Sequence, residues 1–157
     1  MIILGIDPGS RYTGWGVIEA SGSRLKFLGA NRLVLGDGDH DKRLVLIYDQ
    51  ISDIVSTYKP DIAILESVFV SKNVQSALKL GQARGASMVA IARQGVPITE
   101  VSPRAVKKTV TGYGGATKMN VGDMVSRLLS VNVQLSVDAW DALAIAISGS
   151  SLIRSKI

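Results

Sequence analysis

The sequence predicts an α/β fold in which a five-stranded mixed sheet carries helices on both faces. Three strand-like segments follow one another at the amino end, and two further apolar runs then alternate with helical patterns. The first run, Ile2 to Ile6, is apolar without alternation, which is typical of a strand buried on both faces. Strands that alternate with helices pair in parallel. We therefore expect three antiparallel strands followed by two parallel ones.

The first three strands are expected to form an antiparallel meander. Their expected bounds are Ile2–Asp7, 14–20 and 24–35. Pro8-Gly9 breaks the chain after the first strand, and a short Ser-Gly-Ser turn separates the second from the third.

The rest of the chain predicts five helices and two strands. The helices are expected over 42–58, 73–93, 103–110, 117–129 and 137–148, and the strands over Ile62–Glu66 and 97–101. Apolar residues at three-and-four spacing identify the first helix, which Lys59-Pro60 ends. Gly81 and Gly85 lie inside the second helix, where glycine costs stability. Close packing against another element is a plausible reason for them.

The composition limits the classes of function. All 157 residues are expected to form one domain, residues 1–157, with 149–157 as a frayed tail. The formal net charge of +5 favours an anionic partner such as nucleic acid. The absence of cysteine excludes disulfides, cysteine nucleophiles and thiolate zinc sites. No stretch approaches the ~18 apolar residues of a membrane helix, and no signal-peptide pattern is present, so we expect a cytoplasmic protein.

Four of the thirteen acidic residues stand in apolar surroundings. Asp7 and Glu66 each end an apolar strand, whereas Asp138 and Asp141 share one face of an otherwise apolar helix. Three of them have a simpler explanation, whereas Asp141, a turn further into its helix, is harder to explain as a cap. Asp7 can stabilise the Pro8-Gly9 turn, Glu66 can pair with an arginine, and Asp138 can cap its helix or interact with the helix dipole.

The predicted topology brings these acids together. Sites in α/β sheets form at the carboxyl ends of the parallel strands, so Asp7 and Glu66 meet there if their strands are neighbours. Four carboxylates cannot stay ionised together without cations. With no cysteine and one unsuited histidine, the ligands are oxygens, which select Mg²⁺ or Mn²⁺. Two such ions at ~3.5–4 Å bridge a phosphate, so a nuclease or another phosphoryl-transfer enzyme is predicted.

Other acids receive structural interpretations. The acidic loop 37–41 imitates the start of a calcium loop but lacks the glycine and the closing glutamate that such a loop needs. Helix capping by Asp39 or Asp41 is the better interpretation, and His40 is expected to be a surface residue. Glu100, which ends the fifth strand, is a further candidate with a weaker apolar context.

Four sequence blocks match, in order and spacing, the motifs of one nuclease family. They are Gly5-Ile-Asp-Pro-Gly9 with Thr13-Gly14-Trp15-Gly16, Glu66-Ser-Val-Phe-Val-Ser-Lys-Asn73, Ala77-Leu-Lys-Leu-Gly-Gln-Ala-Arg-Gly85, and Asp138-Ala-Trp-Asp-Ala-Leu-Ala-Ile-Ala146. Over essentially its whole length the chain resembles the RuvC-type Holliday junction resolvases, crossover junction endodeoxyribonucleases with a ribonuclease-H-like fold.

The resemblance implies an activity and a metal site. Members of this family resolve four-way (Holliday) DNA junctions by paired symmetric nicks in homologous recombination and DNA repair, through two-metal hydrolysis that leaves 5′-phosphate ends. The metal-binding acids of the family correspond to Asp7, Glu66, Asp138 and Asp141. The implied cofactor is Mg²⁺, for which Mn²⁺ can substitute, with two ions per active site.

The resemblance also implies partners and a location. It implies a homodimer, for which the helix carrying Gly81 and Gly85 is the expected contact. It further implies the branch-migration proteins RuvA and RuvB as partners, and a bacterial cytoplasm with association to the nucleoid during action.

The expected DNA contacts flank the acids. Phe69 follows Glu66 in a loop and is expected to stack on an unpaired base for roughly 1–3 kcal/mol, the alternative being a hydrophobe folded into the core. The resemblance places Lys107 and Lys118 near the scissile phosphate. Arg104 and Lys108 are also expected to neutralise phosphates, and a solvated face is the alternative interpretation for these two residues and for the two lysines. Lys72, Asn73 and Arg84 are weaker candidates.

The chain departs from the family pattern in few places. Tyr113 and Trp140 are bulkier than expected at their positions, and Asn120 stands where the family often has Gln. None of these departures removes a metal ligand.

Two rival functions remain for comparison. A kinase of the actin and sugar-kinase type would need a second similar domain, for which 157 residues leave no room. A catalytically silent junction-binding protein would have no use for four acids in apolar settings.

Overall fold

A computed structural model of the protein describes residues 1–67 and 73–154. Its strands are β1 (Ile2–Asp7), β2 (Gly14–Ser21), β3 (Arg24–Arg32), β4 (Ile62–Glu66) and β5 (Ile98–Val101). Its helices are α1 (His40–Tyr58), α2 (Val74–Ala92), α3 (Pro103–Thr111), α4 (Lys118–Leu129) and α5 (Val137–Arg154). The expected α/β fold is confirmed.

The five strands form one mixed sheet in the order β3-β2-β1-β4-β5. Strand β1 pairs with β2 in antiparallel and with β4 in parallel orientation, and β5 continues the parallel half. The first and fourth strands are therefore neighbours, which is the condition for Asp7 and Glu66 to meet.

Each face of the sheet carries its own helical layer. Helices α1 and α2 cover one face over a core that includes Leu4, Ile6 and Leu65. Helices α3, α4 and α5 cover the other face over a core that includes Ile3 and Ile64. Because side chains alternate along a strand, Asp7 follows Ile3 and Glu66 follows Ile64 on the α5 side of the sheet.

Helix α5 lies directly on the sheet because two strand residues have no side chain. A Cβ atom on Gly5 would be 2.1 Å from the carbonyl oxygen of Ala142, and one on Gly16 would be 2.8 Å from the side chain of Leu143. Gly5 and Gly16 are register partners in β1 and β2, so they form one smooth patch under the helix. The close approach sets the height of the acids of α5 above the strand ends.

Two element ends differ from the sequence-based expectation. Strand β3 ends at Arg32, because the backbone N–H and C=O of Val34 bond to the side-chain amide of Gln50 in α1 and not to a neighbouring strand. Helix α5 continues to Arg154 where a frayed tail was expected from residue 149. Gly149 and Ser150 are buried there, since Gly149 packs so closely on Ile64 that a Cβ would be 2.3 Å from its Cγ1.

The amino end of α1 also differs. Asp39 occupies the N-cap position but makes no capping hydrogen bond with its side chain, which lies 3.6 Å from the ammonium of Lys42 instead. His40 is partly buried and shares a hydrogen bond of 2.7 Å with Gln82 of α2, so it joins two helices and is not a free surface residue.

Within residues 1–67 and 73–154, every helix falls short of the combined length and apolarity needed to cross a bilayer.

Candidate active site

Asp7 and Glu66 lie side by side at the carboxyl ends of β1 and β4. The register pairs Ile6 with Leu65, the residues that immediately precede the two acids. Both acids line a cavity of about 200 Å³, together with Asp141 from α5. Side chains from three distant parts of the chain therefore meet at one point, as the sequence predicted for these three.

Asp138 lies one helical turn before Asp141 at the start of α5. Its backbone crosses β2 at Gly14, where a Cβ would be 2.0 Å from the Asp138 carbonyl oxygen, and Gly14 is the register partner of Asp7. Its carboxylate is 3.6 Å from Nη1 of Arg32. Asp138 is thus close enough for its negative charge to contribute to the raised pKa of Asp7. Its carboxylate also forms an ion pair with Arg32.

The cavity holds more negative charge than its surroundings can neutralise. Burial, and then the charges of Asp141 and Glu66, raise the pKa of Asp7 to about 7, against the opposing effect of Lys118. Burial, and then Asp141, also raise the pKa of Glu66. Desolvation and like charge both disfavour the ionised form of a carboxyl group, so a cation in this cavity would stabilise the acids as carboxylates.

Lys118 supplies one positive charge to the cavity. Thr117 caps helix α4 by accepting a hydrogen bond from the backbone N–H of Asn120, which places Lys118 in the first turn. From there its ammonium donates a hydrogen bond of 2.8 Å to Oδ2 of Asp141. That hydrogen bond raises the pKa of Lys118, against the effect of burial.

The donor set fits a hard divalent cation. Carboxylate oxygens are the ligands that Mg²⁺ and Mn²⁺ prefer, and the raised pKa values of Asp7 and Glu66 indicate a need for positive charge. As the side chains lie, no group of three or more acids or histidines in residues 1–67 and 73–154 forms a ready ligand cage. Arg32 and Lys118 each hold one of the four acids by an ion pair.

The expected DNA contacts fall in different places. Lys107 of α3 lines the acid cavity. Arg104 and Lys108 of the same helix line a separate exposed cleft with Tyr113, whose side chain is exposed. Asn73 caps α2, because its side chain accepts a hydrogen bond of 3.1 Å from the N–H of Ser76. Phe69 and Lys72 lie outside the described residues.

The fifth acidic candidate has a structural partner. Glu100 lies 2.6 Å from Nη2 of Arg84 in an ion pair between β5 and α2. This salt bridge accounts for Glu100 without a role in the cavity.

Sequence reasoning missed Arg32. Its guanidinium lies 4.3 Å from the ring centroid of Tyr12 in a cation–π contact and also pairs with Asp138. An arginine at the end of a strand is no signal by itself. The strand register gives the position its meaning, because it pairs Arg32 with Gly14 and so brings the arginine beside the start of α5.

Comparison with known proteins shows the family and agrees with the fold. The family model described as crossover junction endodeoxyribonuclease RuvC matches residues 3–149. The protein of that name from Haemophilus ducreyi is 46% identical over 156 residues, which cover 99% of this chain and 81% of that protein. Its counterpart from an Enterobacter species is 50% identical over 147 residues, covering 94% and 85%.

A solved structure is similar over nearly the whole chain. The structure described as T. thermophilus RuvC in complex with Holliday junction substrate has a TM-score of 0.93 at 28% identity, covering 99% of this chain and 96% of that one. Family model, relatives and structure point the same way: this chain belongs to the RuvC family of crossover junction endodeoxyribonucleases.

Proposed function

We propose that this chain resolves four-way DNA junctions by paired symmetric nicks, hydrolysing phosphodiesters with divalent cations held at the acid cavity. The observation that carries the proposal is the meeting of Asp7, Glu66 and Asp141 in one cavity with Lys107 and Lys118. The family is one of divalent-metal-dependent nucleases, and the T. thermophilus relative is described with a Holliday junction substrate. Homologous recombination and DNA repair are the processes in which such junctions arise.

Asp7, Glu66, Asp138 and Asp141 would hold the ions, which we propose to be two Mg²⁺, with Mn²⁺ as a substitute. When bound, such ions would polarise the phosphate and lower the pKa of water. The 5′-phosphate product is proposed from the resemblance to the family. The carboxylates orient the site and stay ionised there.

The two lysines of the cavity act on the phosphate. Lys107 and Lys118 line the cavity from α3 and α4. Ammonium groups there neutralise the charge of the bound phosphate and stabilise the additional charge of the transition state. Neither lysine is assigned a proton-transfer step.

A homodimer through α2 is the second part of the proposal. One face of α2 is buried against the sheet and α1 through Ala83, Ser87 and Ala90. The opposite face exposes Val74, Leu78 and Val89, whose side chains are 67%, 63% and 57% exposed. An apolar stripe of this kind is typical of an interaction surface.

The glycines of α2 lie on that exposed face. No atom of the described residues lies within 4 Å of a Cβ placed on Gly81 or Gly85, so the close packing expected for them does not occur within the described part of the chain. A second copy of α2 can approach the helix backbone there. A two-fold dimer suits a near two-fold junction, because it presents two symmetry-related sites.

The remaining assignments rest on the resemblance. We propose Phe69 as the residue that stacks on an unpaired base, and Lys72, Asn73, Arg104 and Lys108 as further DNA contacts. RuvA and RuvB as partners, and the bacterial cytoplasm and nucleoid as location, belong to the same proposal.

A synthetic four-way junction tests the function directly. The purified protein with Mg²⁺ is expected to release two symmetrically nicked duplexes, and a chelator or Asp7→Asn is expected to abolish nicking. Junction binding should survive Asp7→Asn, since the change removes negative charge from the cavity. Asp53→Asn, an exposed acid on α1 at the opposite face of the sheet, is the matched control and should nick normally. Full nicking by Asp7→Asn, or nicking that persists in chelator, would contradict the proposal.

A further inference from the structure

A second depression adjoins the acid cavity on the outer side of helices α4 and α5. It has a volume of about 420 Å³ and shares two of its walls, Lys118 and Asp141, with the acid cavity. Its remaining walls are Met119, Gly122, Asp123, Ser126, Val137 and Trp140. We call it the Trp140 groove. Its volume is in the range of roughly 300–1,000 Å³ typical of small-ligand pockets.

The groove presents apolar surface to solvent. Among its walls, Met119 and Val137 are 75% and 61% exposed, whereas Trp140 is partly buried and packs against the core. Gly122 leaves space, since no atom of the described residues lies within 4 Å of a Cβ placed on it. A large aromatic side chain flanked by methionine and valine offers a flat apolar platform beside a charged site.

The charges of the groove decide which part of a nucleotide can enter. Asp123 and Asp141 place carboxylates on its walls, and Lys118 is already paired with Asp141. A phosphate would therefore be repelled from the groove while being drawn to the metal-binding cavity next to it. The neutral base of a nucleotide meets no such penalty, and it gains contact with an aromatic ring.

The shared walls place the two cavities one side chain apart. A phosphate held in the acid cavity is joined through a single sugar to the base of the next nucleotide. A base unstacked from its neighbours at that point has the Trp140 groove as the adjacent apolar surface.

We propose that the Trp140 groove binds one unstacked nucleobase of the cleaved strand, next to the scissile phosphate, by stacking on the indole of Trp140. The proposal rests on the proposed nuclease function and adds a determinant of where the strand is cut. A base–aromatic stack changes binding on the order of 5- to 150-fold, enough to favour junctions in which that base is free to unstack.

Abasic substitution tests the groove. Junctions are made with a single abasic site at each of the nucleotides that flank the scissile phosphate, and both junction binding in chelator and single-turnover nicking in Mg²⁺ are measured. At one flanking position, the abasic site should reduce binding and nicking by the unmodified protein about 5- to 150-fold. On the intact junction, the Trp140→Ala variant should show the same reduction in binding and nicking as the unmodified protein shows on the abasic junction. The abasic site should cause no further reduction in this variant. The Trp140→Phe variant should keep most of the binding and most of the nicking on the intact junction.

Gly122→Leu provides a second variant with an intact indole. Leucine is a better helix former than glycine, so the variant keeps α4 while filling the groove, and it should lose the same sensitivity to the abasic site. Leu128→Ala is the matched control, because Leu128 is an exposed apolar residue of the same helix outside the walls of the groove. It should behave as the unmodified protein.

The outcomes separate this inference from the nuclease proposal. An unmodified protein that nicks no junction would overturn the nuclease function itself. A protein that nicks intact and abasic junctions equally well, or a Trp140→Ala variant that keeps the full abasic effect, would overturn the groove while leaving the nuclease function standing. A melting temperature for each variant identifies any loss that comes from unfolding.

Discussion

The ammonium nitrogen of Lys118 lies 2.8 Å from Oδ2 of Asp141, so that one contact links the start of α4 to α5 across the acid cavity. The lysine side chain is 73% exposed, whereas that of Asp141 is 20% exposed. Ion pairs with an exposed partner add little to stability. The importance of this pair therefore lies in its position, where the positive charge of Lys118 meets a group of acids.

Replacing Lys118 should impair nicking far more than stability. Lys118→Met is expected to slow single-turnover nicking about 10²-fold or more, because a charge that stabilises the transition state is lost. Its free energy of unfolding should change by less than about 1 kcal/mol. Single-turnover rates and denaturant unfolding measure the two quantities.

Lys42→Met is the matched control. The side chain of Lys42 is 72% exposed, and its ammonium lies 3.6 Å from the carboxylate of Asp39. Lys42 therefore resembles Lys118 in exposure and in having an acidic partner, but it lies outside the acid cavity. It should nick at the normal rate. Equal rates for the two lysine variants would remove Lys118 from the catalytic site.

The raised pKa of Asp7 makes the stability of the metal-free protein depend on pH. Because the folded pKa of about 7 exceeds the ordinary value of 3.8, the folded protein binds more protons between these values than the unfolded chain does. The contribution of Asp7 to the free energy of unfolding is therefore fully present below about pH 3.8, falls as the pH rises, and is lost once the pH passes about 7. The shift corresponds to at most about 4 kcal/mol.

Asp7→Asn should remove this loss. In chelator at pH 8 the variant is expected to melt at a higher temperature than the unmodified protein, by about 2–4 °C for each kcal/mol, while near pH 4 the two should melt together. Melting curves at several pH values provide the measurement, with Asp53→Asn as control. Parallel curves at all pH values would show that burial and neighbouring acids do not act on Asp7 as inferred.

Gly14→Ala should displace the first turn of α5. The added Cβ would be 2.0 Å from the carbonyl oxygen of Asp138, a backbone atom that cannot move without the helix. We expect a loss of stability of about 1–3 kcal/mol from overpacking and a larger loss of nicking, since Asp138 and Asp141 move together. Gly38→Ala, whose Cβ would be 3.8 Å from its nearest neighbour, should change neither quantity. Normal nicking by Gly14→Ala would show that this close approach does not position the acids.

Val89→Asp tests the proposed dimer surface. Val89 of α2 and Val45 of α1 are exposed to nearly the same extent, 57% and 58%, so a charge on either costs the isolated chain little. If α2 forms the interface, light scattering should show a monomer for Val89→Asp and a dimer for Val45→Asp. The monomer should lose paired nicking of junctions. A dimer that survives Val89→Asp would place the interface elsewhere.

The sheet could be predicted because its strands have recognisable local sequence patterns. The apolar runs that end in Asp7 and Glu66 indicate buried strands, and their alternation with helices implies parallel pairing. The two acids of α5 were found through their three-residue spacing in an apolar helix. Where local polarity and burial disagree, prediction failed. Ser150 is polar, yet it is buried as part of the continuation of α5.

The amino-acid sequence by itself determined which acids stand at strand ends and on one helix face, because hydrophobic periodicity is a local property of the chain. The tertiary structure alone decided which basic residues pair with those acids: Arg32 forms an ion pair with Asp138, and Lys118 forms one with Asp141. It also decided that a groove opens beside them between α4 and α5. Such contacts join segments distant in sequence, and their distances depend on how closely α5 packs on Gly5, Gly14 and Gly16, which no local pattern encodes.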